Sequence, residues 1–367
     1  MPIPLFDTST PLEPLRERIL ARIAAVVNGG RFILGPEVAA FEAELAAYVG
    51  ARHAVGVANG TDAISIAARA LGVQAGDEVI VPSFTFYATA EAIASIGARP
   101  VFCDVDHDTR NVTRETVGAV LSAQTKAIVA VDLFGSPAPV PELRELGLPV
   151  IEDAAQALGA SLNGRRAGAL GDIATFSFFP SKNLGCFGDG GAVVTDRDDL
   201  AEQARALRFH GSHDKQTFRY VGYNSRLDEL QAAILRVLLP ELDGWCEGRR
   251  SAAAAYGAAG ISEYAGVPAL LPGATCAWHL YVVTHPRADE LLAALNGDGV
   301  EARGYYRTPL HRQPAMAPYV GPDCSLPVTD ELARTNVALP MSPVLGTDAP
   351  ARVVAAVAAA VAVFANA

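Results

Sequence analysis

Between about Ala54 and Thr195 the chain alternates short, β-rich apolar runs with stretches of helical pattern, and few architectures accommodate that rhythm. The predicted strands are Ala54–Ala58, Glu78–Pro82, Pro100–Cys103, Ala127–Val131, Val150–Glu152, Ala174–Phe178 and Ala192–Thr195. Predicted helices at Asp62–Leu71, Tyr87–Ile96 and Arg114–Ser122 fall between several of them. Strands joined through helices lie side by side in the same direction, so the fold class is α/β, a mostly parallel mixed sheet sandwiched by helices. In such sheets ligands gather beyond the carboxyl ends of the strands, where loops and helix starts converge.

A chain of 367 residues is long enough for two domains with real cores. The helical pattern Arg226–Leu239 stops at Pro240, which sets the expected boundary: a large domain over 1–240 and a smaller C-terminal α+β domain over 241–367. The N-terminal segment is free to pack on the small domain. The small domain is expected to hold a helix at Leu242–Ala259, a strand at Leu280–Thr284, a helix at Ala288–Asn296 and a terminal helix at Val353–Phe364. Pro309–Pro327 is rich in proline and polar residues and reads as a loop folded over another part of the molecule.

The formal net charge of -11, with no block of lysine or arginine, argues against a nucleic-acid partner. Any anionic ligand must be held by local groups. Five cysteines without a CxxC pair fit free thiols in a reducing compartment, not a disulfide or metal framework. The apolar run Val353–Phe364 is too short to span a bilayer, and no signal pattern opens the chain. The expected setting is cytoplasmic, with no membrane.

Lys182 stands among a hydroxyl and small residues, with Gly185, Gly188, Gly190 and Gly191 behind it. Alone it also fits a surface lysine in a flexible turn. Asp153 closes the apolar run from Leu148, and there it can either cap a helix or stay ionised against a cation. Together they are the two groups that a pyridoxal 5'-phosphate enzyme needs most: an amine for a Schiff base, and an anion for the protonated ring nitrogen. Gln156, one turn on, can donate to the ring's 3-oxygen, and Glu152 is left without an evident task. Asn59-Gly60-Thr61-Asp62 ends a strand and opens a helix, a ready phosphate site to which Ser177 can add a hydroxyl. Phe86 follows another strand, where a ring can stack on a flat cofactor or simply pack in the core.

With these pieces in order, the chain resembles the DegT/DnrJ/EryC1/StrS family of pyridoxal-phosphate-dependent sugar aminotransferases, a fold-type-I branch of the aspartate-aminotransferase fold. The resemblance rests on Phe32–Glu37, Asn59–Ala63, Glu152–Gln156, Ser177–Gly185, Gly188–Gly191, Gly222–Asp228, Pro309–His311 and Leu339–Met341. It implies that Lys182 is the internal-aldimine lysine and the base that moves the Cα proton, and that Asp153 pairs with the ring nitrogen. It places Gln156 at the 3-oxygen, Phe86 over the ring, and Gly60, Thr61, Asp62 and Ser177 at the phosphate. Asn224 is implied to reach the phosphate of a neighbouring subunit, giving a homodimer with shared active sites.

The implied reaction takes an amino group from L-glutamate and delivers it to a nucleotide-diphosphate keto sugar, linked to UDP or dTDP, through a pyridoxamine form of the cofactor. Phe179–Gly185 with Gly188-Asp189-Gly190-Gly191 looks more like members acting at C3. Members acting on 4-keto sugars more often carry a histidine before the lysine segment and glutamate in place of Asp189. The alternatives are a 4-keto-sugar or keto-inositol aminotransferase, or a non-catalytic regulator that binds the cofactor. The family's dehydrating branch has histidine in place of the lysine, which Lys182 argues against. Tyr305-Tyr306 stands where many members have His-Tyr, a departure that bears on the sugar. Arg226, Tyr305, Tyr306 and His311 are the expected substrate contacts, and Arg226 can also serve in a helix-surface ion pair. No metal is expected.

Overall fold

The computed structural model describes residues 2–365. Seven strands form one sheet in the order His53–Val57, Gly191–Thr195, Ile173–Ser177, Val150–Asp153, Thr125–Val131, Glu78–Pro82, Arg99–Cys103. The last five are mutually parallel. Gly191–Thr195 runs against both of its neighbours. Six strands therefore point one way, and the sheet is mixed but mostly parallel, as the alternation predicts.

Side chains along a strand alternate between faces, and the helices exploit both. Val55, Val57 and Val193 face one core; Ala54, Ala192 and Val194 face the other. Helix Gly60–Ala70 covers the first face with Ala63, Ile66 and Ala67. Helices Pro36–Val49 and Glu229–Leu238 cover the second with Phe41, Leu45, Ile234 and Leu235. Phe41 and Phe178 meet edge to face at 5.3 Å in that second core. Burying each such side chain contributes about 1.5–3 kcal/mol.

A third core gathers the antiparallel pair Tyr281–Thr284 and Asn336–Leu339 with helices Ala288–Gly297 and Ala349–Ala365. Ile3 lies in this core, and its N–H donates to the carbonyl of Gly299 at 2.9 Å. Leu310, Met316 and Leu332 pack instead on the first core.

The strands and most helices fall within one or two residues of their predicted bounds, and four segments differ, among them the terminal helix, which runs Ala349–Ala365 and so starts four residues earlier than Val353. The helix expected from Arg226 begins at Glu229, because the Asp228 side chain accepts from the N–H of Gln231 at 2.8 Å and caps it there. Arg226 is thus not on a helix surface. The helix at Arg114 ends at Gly118, and Ser122 turns toward Thr125, whose hydroxyl accepts from its N–H at 3.0 Å. The loop Pro309–Pro327 contains two 3₁₀ turns, Leu310–Arg312 and Pro314–Tyr319.

Candidate active site

The six co-directional strands end on one side of the sheet, and a cavity of about 640 Å³ opens there. Asn59, Val131, Asp153 and Ser177 line it from strand ends or the turns just beyond them. Lys182 reaches it from the loop after Ser177, and Phe86 and Tyr306 close its sides.

One end of the cavity is a helix start. The Asn59 side chain caps helix Gly60–Ala70 by accepting from the N–H of Asp62 at 2.8 Å. The first N–H groups of a helix have no acceptor within it and aim their partial positive charge outward. Gly60 lets Ser177 stand directly beside that start: a Cβ on Gly60 would lie 2.8 Å from Ser177 Cβ. Helix amides and one hydroxyl converging on a strand end suit a phosphate.

The other end holds an acid and an amine. Asp153 is buried, and its Oδ2 accepts from Thr89 Oγ1 at 3.1 Å. Burial pushes its carboxyl up, while the Ala155 N–H and the positive charge of Lys182 pull it back. Burial lowers the Lys182 amine to about 8, against the opposing pull of Asp153. An amine so lowered is a nucleophile near neutral pH, which a solvated lysine is not. Anion cradle, buried carboxylate and lowered amine share one cavity, so the residues fit pyridoxal phosphate: the Gly60 end would take the phosphate, Asp153 the ring nitrogen and Lys182 the aldehyde.

The neighbours explain how these groups are held. Gln156 Oε1 accepts from the N–H of Phe134 at 2.8 Å, and its Nε2 donates to the Tyr306 hydroxyl at 3.1 Å. Glu152 has a structural task that its sequence position did not disclose. It is fully buried on the opposite face of its strand from Asp153 and accepts from the N–H groups of Gly168, Leu170 and Gly171. Asp132 is buried nearby, and burial and the Glu152 charge raise its carboxyl well above the usual range.

The cavity gathers Gly60, Thr61, Asp62, Phe86, Asp153, Gln156, Ser177, Lys182, Tyr305 and Tyr306, all but three of the expected residues. Asn224, Arg226 and His311 lie outside its wall. Asn224 is exposed, paired through its backbone with Phe209. Arg226 sits 6.0 Å over the ring of Phe209. His311 is buried by the turn after Pro309, with Nδ1 2.7 Å from Ser83 Oγ and Nε2 3.1 Å from Asp330. In this chain it therefore pins the 309–327 segment to the sheet. Sequence reasoning missed Thr89, Phe6 and His279, which also line the cavity. A lone threonine in a helix carries no local signal, and nothing around Phe6 or His279 announces a site in a distant part of the chain.

A cavity at the strand ends of this sheet, with a half-buried amine of lowered basicity set against a buried acid, defines a pyridoxal-phosphate-dependent transferase. The sequence model of the DegT/DnrJ/EryC1/StrS aminotransferase family matches residues 14–358, and the chain belongs to that family. It is 45% identical over 352 residues to a pleiotropic regulatory protein of Geobacillus stearothermophilus, covering 94% of this chain and 95% of the relative. It is likewise 45% identical to a dTDP-3-amino-3,4,6-trideoxy-alpha-D-glucose transaminase of Streptomyces venezuelae, covering 97% and 95%. A UDP-N-acetyl-3-dehydro-alpha-D-glucosamine 3-aminotransferase of Acidithiobacillus ferrooxidans is 44% identical, covering 96% of each. Among solved structures, S. venezuelae DesV in complex with a ketimine intermediate superposes with a TM-score of 0.95 at 43% identity, over 98% of each chain. The chain is accordingly a pyridoxal-phosphate-dependent aminotransferase. No described helix is long and apolar enough to cross a membrane.

Proposed function

We propose that this aminotransferase moves the amino group of L-glutamate to C3 of a keto sugar linked to UDP or dTDP, and that it works in the cytoplasm as a homodimer. The observation that carries the chemistry is the single cavity in which Lys182, lowered to about 8, faces the buried Asp153. The substrate follows from the relatives, two of which are named for 3-amino transfer on nucleotide sugars.

Bound pyridoxal phosphate supplies a conjugated electron sink that accepts the charge left when a Cα proton departs. The helix start at Gly60 and the Ser177 hydroxyl would hold the phosphate, and Asp153 would keep the proton on the ring nitrogen. Lys182, lowered to about 8, keeps a usable neutral fraction near neutral pH and would take the Cα proton of the donor and return it on the cofactor side. With the ketone of the sugar in place it runs the same transfers in reverse. Phe86 and Tyr306, ring centroids 5.8 Å apart, flank that end.

Exposed apolar side chains around the cavity and beside Asn224 support a two-fold partner: Phe86, Phe179, Phe187, Phe218 and Val221. The regulatory name of one relative motivates the rival reading of a non-catalytic cofactor-binding regulator. The deciding experiment offers UDP- and dTDP-linked 3-keto and 4-keto sugars, with glutamate as donor. Amination of 3-keto sugars is expected; activity confined to 4-keto sugars or keto-inositols overturns the C3 assignment. A protein that binds the cofactor yet transfers nothing supports the regulator.

A further inference from the structure

The donor must place a carboxylate close to the Lys182 amine, because an α-carboxylate sits one bond from the carbon being deprotonated. The protein as a whole is acidic, so that carboxylate needs local help. Lys182 also lines a second, neighbouring cavity, and Arg249 lines it too. Arg249 is 6% exposed and has no carboxylate within ion-pair distance among the described residues. Its Nη1 donates to the carbonyls of Trp278 at 3.2 Å and His279 at 3.4 Å, and its Nε has no partner.

That arginine clamps the backbone of His279, a residue that the cofactor-binding arrangement does not use. His279 lines the same cavity as Lys182 and is 5% exposed. Its position is fixed from several sides. Phe6 stacks on the ring at 6.3 Å. Gly135, at φ +99, leaves room for the Trp278 and His279 amides, which a Cβ there would meet at 2.7 and 2.9 Å. Trp278 is held at φ +46, a region that bulky L-residues rarely occupy and that recurs at functional sites.

Burial, with Lys182 and Arg249 adding to it, holds the imidazole well below its usual 6.5, so it is neutral. Nδ1 is walled off with no partner, which leaves Nε2 as the nitrogen open to the cavity. A carboxylate bound at Nε2 selects the tautomer that carries the proton there, because Nδ1 has no partner to hold it.

We propose that His279 donates from Nε2–H to the α-carboxylate of the amino donor and sets the donor's Cα beside Lys182, with the unpaired charge of Arg249 behind it. This rests on the aminotransferase reading but not on the donor being glutamate, since every α-amino acid carries the same group.

The test uses the full, cofactor-loaded protein and its two half-reactions. His279→Phe keeps the stack on Phe6 and removes the donor; His279→Asn restores an N–H. For whichever of L-glutamate, L-glutamine or L-alanine the wild type accepts, His279→Phe is expected to raise the donor KM on the order of tenfold, with His279→Asn recovering part of it. The acceptor half-reaction and the cofactor content stay unchanged. A loss confined to the sugar half-reaction overturns the proposal, as does equal loss in both variants with intact cofactor content. Absence of glutamate turnover alongside turnover of another amino acid overturns only the glutamate reading. Should the variants not fold, wild-type protein with ¹⁵N-labelled histidine is titrated with 2-methyl-L-glutamate, which lacks a Cα proton. One neutral imidazole is expected to shift its Nε2 resonance; no shift at saturation refutes the contact.

Discussion

Lys182 and Asp153 work against each other's burial. Each loses hydration in the cavity, and each regains part of it as charge attraction to the other. The lysine ends near 8, far below the ordinary value of 10.5, so the sign of its pH dependence is fixed. Below about 8 the amine carries a proton and cannot attack an aldehyde. Capture of pyridoxal phosphate by cofactor-free protein should accelerate with pH, with a midpoint near 8, and slow roughly tenfold per unit well below it. Stopped-flow absorbance across pH 6–11 reads this directly (roughly five units, wide enough to bracket both values), and a midpoint near 10.5 would mean a solvated lysine. Lys182→Ala should cut each half-reaction by about 10²–10⁴-fold, the usual worth of a positioned acid–base group. Many turnovers by that variant would contradict the role. The approach of these two residues was legible in the sequence because Asp153 ends one strand and Lys182 stands on the loop just after another in the same α/β unit. His279 was not, since its place depends on Arg249, Gly135 and Phe6 arriving from three other parts of the chain.

At the scale of elements, the site depends on how strand ends and helix starts are tied down. The turn 168–171 is held by one carboxylate, Glu152, whose two oxygens accept from three N–H groups. Glu152→Gln keeps the shape but offers one oxygen and an NH₂ where two acceptors are needed. With a charged hydrogen bond contributing about 1.5–3 kcal/mol, stability should fall by about that amount or more in denaturant unfolding. An unchanged midpoint would show that the turn does not depend on it. Gly60 poses the complementary case. Gly60→Ala puts a Cβ 2.8 Å from Ser177 Cβ and forces the helix start and the strand end apart. Cofactor retention during dialysis should drop while the helical content stays, and full retention would remove Ser177 from the phosphate site. These elements read well from sequence because strand and helix periods are local. The start of the helix at Glu229 read less well, because the apolar period runs back to Leu227 and only the Asp228 cap stops it.

On the scale of the whole molecule, one chain builds the sheet and the cavity walls, yet Asn224 lies outside those walls and is exposed. The apolar residues Phe218 and Val221 beside it are exposed as well, at 57% and 83%. Residues this apolar are costly to leave in water, and a two-fold partner would cover them while carrying each Asn224 toward the other subunit's Gly60 end. No periodicity in the sequence could reveal such a geometry, because it is a property of two chains. It has a direct test. Asn224→Ala and Lys182→Ala proteins are prepared separately, unfolded together and refolded. If Asn224 serves the neighbouring site, each mixed dimer has one site with both defects and one site with neither. Half of randomly paired dimers are mixed, so activity should recover to roughly a quarter of wild type from two nearly inactive parents. If Asn224 acts within its own chain, every site in the mixture carries one defect, and the activity stays at the average of the parents.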